Sequence, residues 1–170
     1  MNKQPVHVAI AILYQENKFL LQLRDNNPNI PYPGHWAFFG GHIEPGETPD
    51  VAVKREILEE IGYSLPPTVS KFGCYGDDKV VRHVFHAPLL VELNQLVLNE
   101  GWDLGLVTSE DIRLGASYSA VAGEVRPLGP VHQRILLDFM EKGMANGGIL
   151  EWESGGVGAV GEWEMGGWGE

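Results

Sequence analysis

Between Gly40 and Gly62 the chain reads GGHIEPGETPDVAVKREILEEIG, and no other stretch limits its fold so narrowly. Thr48, Pro49 and Asp50 make a helix start: a hydroxyl able to cap, a ring suited to the first turn, and an acid that complements the positive end of the dipole. Gly62 stands where helices commonly stop in a left-handed residue. The spacing therefore predicts a helix over 49–61. At 100° per residue, Glu56, Glu59 and Glu60 share an arc of about 100°, and Val53, Ile57 and Ile61 form an adjoining apolar stripe. The acids sit beside the buried edge of the helix, not opposite it.

Like charges three and four residues apart repel, and more strongly where water is scarce. Their gathering is either a solvated acidic face or a cation site, since carboxylate oxygens are the hard ligands that Mg²⁺ or Mn²⁺ takes. Gly40 and Gly41 let the backbone approach the same place, so the Gly40 carbonyl can join the ligand set. Glu47, at the end of the loop, is placed to pair with Arg55 and lock loop to helix, a structural role.

Around this helix the pattern alternates. VHVAIAILY and FLLQLR, separated by the polar QENK, predict a hairpin, and HWAFFG predicts a short aromatic strand entering the glycines. DNNPNIPYPG is a loop by its prolines and asparagines. TVSKFGCYG and KVVRHVFHAPLLVEL read as strands, EGWDLGLVT holds another, SEDI starts a short helix, and GPVHQRILLDFMEKG is an amphipathic helix ending at Gly143. Such interspersed elements suit an α/β fold, a mixed sheet sandwiched between helices. The domain is expected over 1–146. From Gly147 to Glu170 the text is rich in Gly, Glu and Trp, with no Lys or Arg, and reads as a disordered tail or as one that docks through its tryptophans.

The Gly41–Tyr63 stretch resembles the Nudix box, G-x5-E-x7-R-E-U-x-E-E-x-G-U, where U is a bulky aliphatic residue. Gly41, Glu47, Arg55, Glu56, Glu59, Glu60 and Gly62 fill every fixed position, and Tyr63 alone departs, in a place where a change of packing is expected. The flanks, FLLQLRD and PGHWAFFGGHIEPGE, are also similar to that family. The resemblance implies the Nudix fold and hydrolysis of a diphosphate linkage in a nucleoside diphosphate derivative. Candidate substrates are an NTP, an oxidised dNTP, a nucleotide sugar or ADP-ribose. It further implies that Glu56, Glu59 and Glu60 hold Mg²⁺ or Mn²⁺, with the Gly40 backbone completing the shell, and that Glu59 or Glu56 is the base that accepts a proton from water. Arg24 is expected to contact substrate phosphate. A further acid outside the box is expected at the metal, with Glu100 ranked above Asp103 and Glu110. His42 is a candidate for the site, whereas His83 and His86, three apart on one strand, face opposite ways. Tyr32, Trp36, Phe38 and Phe39 are expected in packing, one of them available to stack on a base.

Two other classes compete. A non-catalytic nucleotide-binding regulator on the same fold would be expected to lose box acids, and all are kept. An isomerase of isoprenoid diphosphates would need a placed thiol, and Cys74 is the single cysteine. That lone cysteine excludes an internal disulfide and favours a cytoplasmic location. A formal charge of −11 argues against nucleic acid as partner, and no apolar run reaches the ~18 residues of a membrane span. The expected partner is a small nucleotide, and the family resemblance allows a homodimer.

Overall fold

The computed structural model describes residues 3–145; the tail expected from 147 onward lies outside them. The strands are β1 (Val6–Gln15), β2 (Lys18–Leu23), β3 (Trp36–Ala37), β4 (Phe39–His42), β5 (Ser70–Gly76), β6 (Val80–Pro88), β7 (Asp103–Thr108), β8 (Ala116–Ser119) and β9 (Glu124–Pro127). The helices are α1 (Pro49–Ile61), α2 (Ser109–Leu114) and α3 (Pro130–Ala145).

β1 is the spine. It runs parallel to β6 along its length, while its other edge is shared by β4 in the first half and β2 in the second, both antiparallel. β2 goes on to pair β3 and β7, and β6 pairs β5, giving a seven-stranded mixed sheet; β8 and β9 form a separate hairpin. The near-continuous apolar run of β1 follows from this position, because both of its faces are covered. Ile10, Ile12 and Tyr14 face a cluster with Ile135, Leu136 and Phe139 of α3, whereas Ala9, Ala11 and Leu13 face Ala52, Val53, Ile57 and Ile61 of α1. Alanines at positions 9, 11 and 52 let the α1 backbone approach the sheet closely. The expected sandwich of helices about a mixed sheet is what the chain forms. Among the described residues, no helix is long and apolar enough to cross a membrane.

The helix bounds 49–61 hold, and Gly62 closes α1 at φ 68°, its N–H donating to the Leu58 carbonyl. Thr48 is the N-cap residue, but its side chain accepts no cap hydrogen bond; it is engaged with the Asp50 carboxylate, whose pKa it lowers. The strand expected through Leu93 ends at Pro88, whose missing N–H cannot serve a ladder, and a 3₁₀ turn follows at Leu93–Gln95. The Tyr63 hydroxyl fixes this exit: it donates to the Pro88 carbonyl at 3.0 Å and accepts from Leu90 N–H at 3.0 Å.

Candidate active site

A pocket of about 490 Å³ opens where β4 meets the edge of β1, and residues from both sides of the sheet line it. The glycines make this possible. Gly40 has φ 143°, and a Cβ there would run into the Ala9 carbonyl. A Cβ on Gly41 would stand 2.6 Å from the Glu56 carboxyl carbon. With no side chains at either position, the acids of α1 reach a cavity that extends under α3.

Glu60 is the better held of these acids. Its carboxylate accepts the Gly40 N–H at 2.8 Å. Burial, reinforced by the negative charges of Glu56 and Glu100, pushes its pKa from 4.5 to about 8. Burial also raises Glu56, and the nearby Arg55 does not cancel that effect. Arg55 instead works as the lock between loop and helix. Its Nε lies 2.6 Å and its Nη2 2.9 Å from the Glu47 oxygens, and Nη2 also donates to the His42 carbonyl at 3.1 Å. Nη1 reaches Glu56 at 3.0 Å and Glu59 at 3.3 Å. The pairing with Arg55 holds the Glu47 carboxyl at about 2, well below its usual range. One guanidinium thus answers several carboxylates, and it leaves Glu60 without a cation in contact.

The three acids are not equivalent. Glu56 and Glu60 line the pocket, whereas Glu59 stands at the rim with its side chain 60% exposed. Of the candidates outside the box, Glu100 lines the pocket. Asp103 and Glu110 do not. The Asp103 oxygens are taken by the Ser119 hydroxyl at 2.7 Å and the Leu104 N–H, and Glu110 is exposed in the first turn of α2. Sequence distance from β7 could not separate the three, because Glu100 lies in the loop before the strand, Asp103 opens it and Glu110 belongs to α2.

Arg24 lines the pocket, its Nε tied to the Pro31 carbonyl at 2.8 Å, and its charge acts on Glu60. His42 and Tyr32 also line it; Trp36, Phe38 and Phe39 are buried, and of these only Phe38 reaches the pocket wall. His83 and His86 do face opposite ways: His83 meets His7 and Cys74, whereas His86 is buried against Tyr14 and Phe139. Cys74 is buried beside His83 and does not line the pocket, so it offers no thiol for an isomerase. Gln22, Arg82 and His132 line the pocket without having been singled out from the sequence. They stand on β2, β6 and α3, and only the strand order brings them together.

Among the described residues, no three carboxylates, imidazoles or thiolates are gathered tightly enough to ligate one ion. The chemistry of the donor set nonetheless fits a hard divalent cation. Glu56, Glu60 and Glu100 line one pocket, Arg55 answers Glu56 from one side only, and the pKa values of Glu56 and Glu60, raised by burial, are what such a cation would lower.

A model of the NUDIX domain matches residues 3–124. The nucleoside triphosphatase NudI of Enterobacter sp. (strain 638) is 49% identical over 75 residues, which are 44% of this chain and 52% of the relative. An ADP-ribose pyrophosphatase of Methanocaldococcus jannaschii is 44% identical over 73 residues, 41% of each chain. This chain therefore spans about half, or less, of the length of these curated relatives. Among solved structures, the MutT NUDIX hydrolase from Burkholderia pseudomallei has TM-score 0.62 at 23% identity, covering 80% of this chain and 98% of that one. A MutT/nudix family protein from Enterococcus faecalis has TM-score 0.67 at 18% identity, covering 94% and 68%. At such identities these likenesses speak for the fold alone. With the domain match running through more than half of its length, this chain belongs to the NUDIX domain family.

Proposed function

We propose that the chain hydrolyses a diphosphate linkage in a nucleoside diphosphate derivative, with Mg²⁺ or Mn²⁺ as cofactor. A nucleoside triphosphate or ADP-ribose, the compounds named for its relatives, is the substrate class. The observation that carries this reading is the pair Glu56 and Glu60, half-buried at one pocket with pKa values raised by that burial, Glu56 paired with Arg55 and Glu60 held by the Gly40 N–H.

Glu56 and Glu60 would hold the ion, with the Gly40 backbone beside them and Glu100 as the acid from outside the box, while Glu59 would reach it from the rim. When bound, the ion supplies charge to the phosphate oxygens and acidifies water. The chain's own groups do the rest. The Gly40 N–H orients Glu60. Arg24 offers a guanidinium to phosphate oxygens, while its tie to Pro31 fixes where that charge sits. Of the two candidate bases, Glu56 lines the pocket and Glu59 projects to solvent, which favours Glu56 as acceptor of the water proton. Arg55 keeps Glu56 aligned from outside, without entering the pocket lining.

A substrate panel tests this. Nucleoside triphosphates, their oxidised forms, nucleotide sugars and ADP-ribose are incubated with Mg²⁺ or with chelator. Metal-dependent release of phosphate, pyrophosphate or a sugar phosphate from at least one is expected. Binding without turnover across the panel would assign the fold to a nucleotide-binding regulator instead.

A further inference from the structure

The end of the pocket floored by β1 and β6 has its own construction, and Ile10, opposite Gly40, joins it to the acids. β1 and β6 pair in parallel register, Val6 opposite Val80 and Val8 opposite Arg82, so these side chains share one face. Val6, Val8, Ile10 and Val80 give that end an apolar floor, and Phe38 and Tyr32 line it as well. Apolar side chains with a few placed polar groups beside them suit a heteroaromatic ring.

Over this floor stands His132, in the first turn of α3. Phe38 is the single residue between β3 and β4, so its backbone leaves the ladder. Gln22 Nε2 donates to its carbonyl at 3.1 Å, and its N–H donates to His132 Nδ1 at 3.3 Å. An imidazole that accepts at Nδ1 carries its proton on Nε2 and is a donor there. The ring is clamped by the Phe38 ring, 5.2 Å away between centroids, and by Gly129, where a Cβ would stand 2.8 Å from His132 Cδ2. Among the described residues nothing accepts from Nε2, and nothing accepts from the Arg82 guanidinium. Burial, with the charges of Arg82 and Arg24, pushes the ring's pKa down to about 3, so it stays neutral. Asp25, a carboxylate acceptor, also lines the pocket, but at its exposed rim.

We propose that His132 is a specificity-determining residue: its Nε2–H, with Arg82 beside it, donates to a carbonyl oxygen on the edge of a nucleobase lying on the valine floor. The pocket then selects oxo-substituted bases, of the uracil or hypoxanthine type, over their amino counterparts. An exocyclic amino group would set donor against donor in a desolvated site, leaving groups on both sides unpaired. This rests on the reading that the pocket takes a nucleotide, but not on the hydrolysis.

The test measures dissociation constants for IMP against AMP and UMP against CMP. Each pair differs at the oxo or amino edge, and neither member carries a linkage to be cut. The wild type is expected to favour the oxo member by about tenfold or more. In His132→Asn the amide oxygen can replace Nδ1 as acceptor for Phe38, but the reach of Nε2 is lost; an unchanged melting temperature with a ratio near one is expected. His132→Gln keeps the reach and gives up the Phe38 acceptor, so it should melt lower while retaining the preference. The proposal is overturned if the wild type shows no preference or binds none of the four. It is equally overturned if the ratio survives in His132→Asn, or if it is kept in Asn and lost in Gln. If the oxo preference is found but nothing in the substrate panel is hydrolysed, the catalytic reading fails and this one stands.

Discussion

The two ends of the pocket were assembled in different ways. The acid end comes mostly from one run of chain, β4 and α1, with Glu100 and Arg24 as its distant additions. The other end gathers Val6 and Val8 from β1, Arg82 from β6, Tyr32 from a loop and His132 from α3. The first needs a fixed helical spacing, so its residues cannot drift in sequence. The second needs only that several elements meet, and their spacing is free. Chemistry common to a family belongs at the first kind of end, and discrimination among substrates at the second.

The sharpest way to break this division is at Glu60. Glu60→Gln keeps shape and removes the charge; kcat should fall on the order of 10³-fold with any substrate, while the oxo-to-amino binding ratio stays put. In a melting experiment without metal near pH 8, the same variant should be more stable than the wild type, because it no longer places a charge in a desolvated site beside the like charges of Glu56 and Glu100. A variant that lost the binding ratio together with kcat would show that the two ends are not separate.

A smaller effect is expected at Gly41→Ala. The new Cβ would stand 2.6 Å from the Glu56 carboxyl carbon, the far end of a flexible side chain, so the fold survives and Glu56 moves. Misplacement by about an ångström lowers kcat roughly 100-fold. Unchanged turnover would mean that the position of Glu56 is immaterial, and would move the base elsewhere.

The smallest effect concerns pH. The Glu60 pKa is raised from 4.5 to about 8, so the folded chain holds its proton longer than the unfolded chain does. Metal-free stability from this group is full below pH 4.5 and is lost as pH rises through about 8. His86, buried with neither ring nitrogen hydrogen-bonded, is lowered from 6.5 to about 4. Its contribution is present above pH 6.5 and is lost as pH falls through about 4. Melting temperature against pH should therefore decline on both sides. Glu60→Gln or saturating Mg²⁺ should flatten the alkaline limb, and His86→Leu the acid one. If each variant altered the opposite limb, the assignment of these groups would be wrong.

The same division explains what could be read from the sequence. The bounds of α1, the left-handed Gly62 and the Arg55–Glu47 lock all follow from neighbours in the chain, and each stands as expected. The hairpin of β8 and β9 was not anticipated: SYSAVAGEVRP has weak alternation and few large apolar residues, and its pairing gains from contacts with β7 and Trp36 that no local pattern encodes. Glu59 could not be told from Glu60 by helical angle alone, because it is a separate strand, β4, that meets Glu60 through the Gly40 N–H and leaves Glu59 exposed. Glu100, Asp103 and Glu110 looked alike until the start of β7 gave Asp103 to Ser119. His132 carried no signal, since a histidine in the first turn of an amphipathic helix is unremarkable until Phe38 arrives beneath it.

That meeting has a mechanical side. Phe38 is gripped by α3 through its amide and by β2 through its carbonyl, and two residues onward the strand presents Gly40 to Glu60. The backbone that seats the His132 ring and the backbone that aims the Glu60 carboxylate are therefore one span of three residues, and the precision of both rests on how firmly that span is held.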